Sequence, residues 1–194
     1  MVLSASSNSP ISMKTQNFIT GETIDLRSLS PGDIEGNYVS WFNDEEVCHF
    51  NSHHVYPYTT DQAVSFIEGT QTDRSSIVLA ILSKDSGKHI GNISLQKIDL
   101  ISRNAEYAIV LGDRDYWGKG IAKEASLLIL RHGFESLNLH RIGCGTSSEN
   151  IPMQKLAAKL GFNEEGRRKD ALYKNGKYVD IIEYGLLRKN FKFK

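Results

Sequence analysis

The sequence predicts an α/β fold: a mixed, mostly antiparallel central sheet flanked by helices. Three observations carry this. Three strand-like segments between residues 76 and 111 are joined by turns too short to hold crossover helices. After Lys119 the apolar period changes from two to that of a helix. The chain then closes on two strand-like runs about an Asn175-Gly176 turn. With 194 residues, 40% of them apolar and 24% charged, there is core for one domain.

The elements follow in order. Glu22–Leu29 alternates as a first strand. Ser30 caps a helix with Pro31 at its first position, and Ile34, Tyr38, Trp41 and Phe42 give it one apolar stripe. Thr59-Thr60-Asp61-Gln62 is a capping box before a second helix carrying Ala63, Val64, Phe66 and Ile67. Between the two lies a polar and aromatic loop, Cys48–Tyr58, with His49, His53 and His54. Ser76–Leu82, His89–Ile98 and Ala105–Leu111 form an antiparallel meander. The helix opening near Lys119 is apolar on two faces and should be buried. Arg141–Thr146 is a strand, and a helix from Asn150 to Leu160 stops at Gly161. Glu164–Tyr173 and Tyr178–Leu187 are the last hairpin.

Lysine plus arginine total 23, as do aspartate plus glutamate, which argues against a nucleic-acid-binding face. The longest apolar runs, Ile77–Leu82 and Leu127–Leu130, are too short to span a membrane. Residues 1–17 lack the charged head and apolar core of a signal segment. They read as a disordered lead-in to a domain over 18–194. Cys48 and Cys144 fit no metal-ligand spacing, so the expectation is a cytoplasmic chain with buried thiols and no metal.

The chemistry is concentrated between Ala105 and Glu124. A strand runs through Val110, Leu111 and Gly112 into a short loop, and Trp117-Gly118-Lys119-Gly120-Ile121-Ala122 opens the long helix. The first-turn amides of that helix lack intrahelical acceptors, and the helix dipole adds positive charge there. Glycines at 118 and 120 clear the approach, making a cradle for a phosphate or pyrophosphate. The Walker pattern is absent. The dinucleotide pattern fails because residue 123 is Lys and no βαβ unit surrounds it.

The six-residue loop resembles the acetyl-CoA signature of the GNAT superfamily, [QR]-x-x-G-x-[GA], with Gly120 and Ala122 at the matching positions and Trp117 in place of Gln or Arg. Asn150-Ile151-Pro152-Met153 and Lys159-Leu160-Gly161-Phe162 resemble the superfamily's N-x-x-S and K-L-G-F. Tyr173 to Asp180 resembles the closing hairpin of a branch that includes ribosomal-protein N-terminal and amino-sugar acetyltransferases. The likeness runs from about Thr23 to Phe191. It implies a GNAT-like sheet whose splayed strands hold acetyl-CoA as co-substrate. Backbone at Val110, Leu111 and Gly112 would pair with pantetheine, residues 117–122 (Lys119 with a charge as well) would hold the pyrophosphate, and Asn150 would bond the pantetheine arm or serve as a plain helix cap.

Acetyl transfer to an amine by direct attack needs a base for the amine and a proton for the leaving thiolate. Glu106 is the base candidate, directly or through water, against a plain role as a solvent-facing strand residue. His53, His54 and His140 are further candidates by side-chain type, against plain surface roles. The serine and tyrosine that relatives offer as acids correspond to Met153 and Ala157, which leaves Tyr173 or Tyr178 on the hairpin, or water. Trp41-Phe42-Asn43-Asp44-Glu45-Glu46-Val47 resembles a W-x-N-D-x-x-V stretch of amino-sugar and N-terminal acetyltransferases. The expected acceptor is a small-molecule amine such as an amino sugar or a nucleotide-linked one. A protein N-terminus, or a non-catalytic acyl-CoA-binding module, are the alternatives. No nucleic acid or membrane partner is expected, and a homodimer is compatible with the sequence.

Overall fold

A computed structural model describes residues 16–193. The lead-in expected over 1–17 lies outside the described residues up to residue 15, and Asn17 Nδ2 donates to Asp25 Oδ2 at 2.8 Å. The elements are β1 (Ile19–Thr20), β2 (Ile24–Ser28), α1 (Tyr38–Trp41), α2 (Thr60–Thr72), β3 (Ile77–Ser83), β4 (His89–Asp99), β5 (Asn104–Leu111), α3 (Ile121–Arg131), β6 (Arg141–Ser147), α4 (Ile151–Leu160), β7 (Asn163–Lys174) and β8 (Lys177–Leu187). No helix among the described residues is long and apolar enough to cross a membrane.

The strands form one eight-stranded sheet in the order β1-β2-β3-β4-β5-β6-β8-β7. Every pairing is antiparallel except β5 with β6. The mixed, mostly antiparallel sheet read from the sequence is therefore the one observed. Cross-strand partners share a face, so the register sorts the side chains. Leu79, Ile93, Tyr107, Ile142 and Leu186 belong to the core beneath α3 and α4. Ala80 instead packs with Leu29, Tyr38, Trp41, Ala63 and Ile67 of the α1–α2 layer. On that second face the described helices pack over β2 to β4, and among the described residues β5, β6 and β8 stay open.

Helix α3 is the buried one. Ile121, Ala125, Leu128, Ile129 and Leu130 are all buried, and one wider turn over His132–Ser136 carries Phe134 into the same core. Each such large side chain contributes about 1.5–3 kcal/mol of burial. The capping box of α2 is formed on both sides: Gln62 N donates to Thr59 Oγ1, and Thr59 N donates to Gln62 Oε1.

The first helix departs from expectation. Ser30 and Pro31 start only a 3₁₀ turn, Pro31–Glu35, which ends at the extended Gly36 before α1 begins. The turn is held from elsewhere. Asp33 is buried and accepts from both terminal nitrogens of Arg27 at 2.5 and 2.8 Å and from Ser30 N at 2.8 Å. Burial raises its carboxyl pKa, but the Arg27 bonds, with help from His89 and Ser30, more than reverse this and hold it below the usual carboxylate range. His89 Nε2 faces Gly91 O and Asn92 Oδ1 at 3.0 and 2.8 Å, so that nitrogen carries the proton. Its Nδ1 lies 3.3 Å from Asp33 Oδ1, without an aligned hydrogen bond.

Candidate active site

The parallel ladder between β5 and β6 has three residue pairs: Asn104–Arg141, Ala105–Ile142 and Glu106–Gly143. Beyond Glu106 the strands part, while β5 stays paired with β4 to Leu111 and β6 stays paired with β8 to Ser147. The result is a wedge with Glu106 at its closed end. Gly112 N donates to Ile90 O, so by ladder alternation Val110, two residues earlier, also turns its backbone toward β4. Tyr107, Ile109 and Leu111 turn theirs into the wedge. Of the three residues expected to meet pantetheine, Leu111 has its backbone facing the wedge, and Ile109 joins it. Gly112 serves packing instead, since a Cβ there would overlap the Trp41 indole.

At the open end, the loop closes with Tyr116 N on Asp113 O and Trp117 N on Arg114 O, and the next backbone bond along the chain is Glu124 N on Gly120 O. The intervening amides of Gly118 to Lys123 are left to an outside acceptor. Gly118 and Gly120 have φ of +74° and +84°, and a Cβ on either would meet nothing within 4 Å. Here glycine is required by the left-handed backbone and by the open approach. Lys119 Nζ lies over the Tyr116 ring, 5.4 Å from its centroid. Trp117 Nε1 donates to Leu111 O at 2.7 Å, tying loop to strand. Open amides at a helix start beside a parted strand pair fit a pyrophosphate with an amide-bearing arm.

Asn150 caps α4: its Oδ1 accepts from Met153 N at 3.1 Å. Its Nδ2 keeps both donors for another partner. Met153 packs against the core and Ala157 is fully buried, so neither position offers a hydroxyl. Tyr107 does carry one into the core, bonded to Ser126 Oγ at 2.6 Å, and Ser126 Oγ in turn donates a hydrogen bond to Ala122 O. Both cysteines are buried, and burial pushes the thiols up, Cys144 to about 12. Neither is a thiolate nucleophile.

Over the closed end of the wedge lies a cavity of about 530 Å³ on the open face, lined by Lys97, Glu106, Gly143, Gly145, Arg168, Ile181 and Glu183 among others. Charges of both signs meet there. Lys97 Nζ donates to Glu106 Oε1 at 2.9 Å, Arg168 Nε to Glu183 Oε1 at 2.6 Å, and Arg141 forks onto Glu165. In a regular strand Lys97 would face away from Gln96, the cross-strand partner of Glu106. A bulge between Gln96 and Asp99 puts Lys97 at φ +50° and re-aims it.

Tyr173 stands elsewhere. It pairs with Tyr178 near the hairpin tip, while the β8 residue level with Glu106 and Gly143 is Gly185. Seven residues of strand separate these positions, about 23 Å at ~3.3 Å each, so the structure does not bring Tyr173 beside Glu106. The hairpin tip instead meets the early loop: Lys174 Nζ donates to His53 O at 2.7 Å. Burial, and to a lesser degree Lys174, pushes the His53 pKa down, leaving the ring neutral at pH 7. Sequence reasoning missed Lys97, Arg168 and Glu183, because bulges and cross-strand pairing, not a motif, assemble them.

Residues 23–163 match the family described as acetyltransferase (GNAT) domain. The uncharacterized N-acetyltransferase p20 of Bacillus licheniformis is 30% identical over 174 residues, covering 88% of this chain and 96% of that protein. The spermidine N(1)-acetyltransferase of Escherichia coli strain K12 is 33% identical over 96 residues, 50% of this chain and 51% of that one. Among solved structures, the spermidine N-acetyltransferase from Vibrio cholerae in complex with CoA and spermine superposes with a TM-score of 0.79 at 25% identity, covering 87% of this chain and 97% of that chain.

Proposed function

The chain belongs to the GNAT acetyltransferase family and takes acetyl-CoA as co-substrate, and from that premise we propose that it acetylates a primary amine of a small molecule that also carries hydroxyl or anionic groups, such as an amino sugar phosphate. The observation that carries this reading is the mixed charge of the cavity at the closed end of the wedge. Glu106 and Glu183 suit an ammonium. Lys97 and Arg168 suit an acidic or hydroxylated body and would repel a bare polycation.

The roles follow from position. The amides of Gly118 to Ala122, with Lys119, hold the pyrophosphate, and Trp117 fixes their loop. Backbone at Ile109 and Leu111, with Asn150 Nδ2, holds the pantetheine arm. Acetyl-CoA supplies the activated acyl group. Glu106, at the point where the strands part, takes the proton that must leave the amine before it can attack. Solvent returns the proton to the leaving thiolate, since Met153 and Ala157 offer none.

Specificity constants for glucosamine 6-phosphate, spermidine and a short peptide with a free N-terminus test the acceptor class. The amino sugar phosphate should lead by about tenfold or more, a difference of ~1.4 kcal/mol in transition-state binding. A lead for spermidine or the peptide overturns the acceptor assignment. Gly120→Glu puts a carboxylate into the phosphate cradle and should abolish both acetyl-CoA binding in calorimetry and turnover.

A further inference from the structure

Lys97 is held where an acceptor amine would have to be. A general base must lie within hydrogen-bond reach of the proton it removes, and Lys97 Nζ sits 2.9 Å from Glu106 Oε1. The placement is built into the backbone. The bulge after Gln96 and the left-handed conformation of Lys97 turn its side chain from the α3–α4 face onto the face of Glu106. Among the described residues, Lys97 is the one lysine lining the cavity at the closed end of the wedge.

We propose that Lys97 is a self-acetylation site, modified from acetyl-CoA when no amine occupies the cavity. The inference rests on the reading of Glu106 as base. Glu106 takes one proton from the Lys97 ammonium. The freed Nζ lone pair forms a bond to the acetyl carbonyl carbon, and the carbon–sulfur bond of the thioester breaks. Nitrogen gives up a second proton on becoming an amide. One of the two protons ends on the thiol of CoA and the other in solvent, so each event releases one proton. The product exchanges a cation for a neutral acetamide and leaves Glu106 without its ion-pair partner.

Lys169 is a matched control. Its ammonium is also 2.9 Å from a carboxylate, that of Asp180, and its side chain is 76% exposed against 74% for Lys97, but it does not line the cavity. The full chain is incubated with acetyl-CoA and no added amine, and the modified lysines are mapped by peptide mass spectrometry over time. Lys97 should gain one acetyl group at least about tenfold faster than Lys169, since a positioned base contributes ~10²–10⁴. Glu106→Gln should slow Lys97 to the Lys169 rate. Lys97→Arg should remove the modification, as should Lys97→Asn, which tolerates the left-handed backbone. Equal labelling of Lys97 and Lys169, or no labelling of Lys97, in a chain that acetylates added amines overturns the proposal and leaves the transferase reading intact. Failure to acetylate either lysine or amine removes the assigned base and the proposal with it.

Discussion

Trp117 reaches back six residues to donate its indole N–H to the Leu111 carbonyl at 2.7 Å. That bond closes the loop between the wedge-lining strand and the amide-rich start of α3, so it fixes the two halves of the proposed co-substrate site relative to each other. Trp117→Phe keeps the ring and deletes the donor. Acetyl-CoA should bind about two- to tenfold more weakly, the ~0.5–1.5 kcal/mol of one hydrogen bond. Calorimetry checks this, and an unchanged dissociation constant means the bond does not position the loop.

Glu106 is assigned to the proton on the amine and to nothing on the co-substrate. Glu106→Gln should therefore lower turnover at saturating amine by about 10²–10⁴ while leaving acetyl-CoA affinity as it was. Rates are read by thiol release and affinity by calorimetry. Full turnover in the variant removes Glu106 from the mechanism.

Asp33 should matter for stability and for its pH dependence. Asp33→Asn leaves the buried Arg27 guanidinium without its counter-charge, at a cost of about 3–5 kcal/mol at pH 7. The native carboxyl titrates below its ordinary value, whereas the unfolded chain takes up its proton near pH 4. The stabilisation is thus fully present above about pH 4 and is lost as pH falls below that value. Urea unfolding of both proteins between pH 7 and pH 3 should show the gap narrowing on the acid side.

Much of the fold was legible because local pattern and tertiary outcome agree. The meander, the Thr59–Gln62 box and the Gly161 stop each depend on residues a few positions apart. The 3₁₀ turn at Pro31–Glu35 was not legible, since Asp33 is turned inward by Arg27 from a strand and neighboured by His89 from another. Periodicity says nothing about such a contact. The loop at Gly118 and Gly120 was readable because positive φ at both positions demands glycine, which the sequence displays. The bulge at Lys97 puts a lysine in the same backbone region, and no residue type announces it. The family could be read from the loop and the α4 motif, because each is a run of residues adjacent in the sequence.

The wedge also gives the sheet a mechanical character. Its two leaves, β1–β5 and β6–β8, share a spine of three rungs, with α3 packed on α4 underneath and Lys174 bonded to His53 O at the far end. A sheet so joined would bend most easily about that spine, since small changes of opening angle would break few bonds. A co-substrate arm bonded to the backbone of β5 on one side and to Asn150 on the other would act as added rungs. The empty and loaded chains would then differ less in shape than in stiffness, with the loaded sheet behaving as one continuous plate.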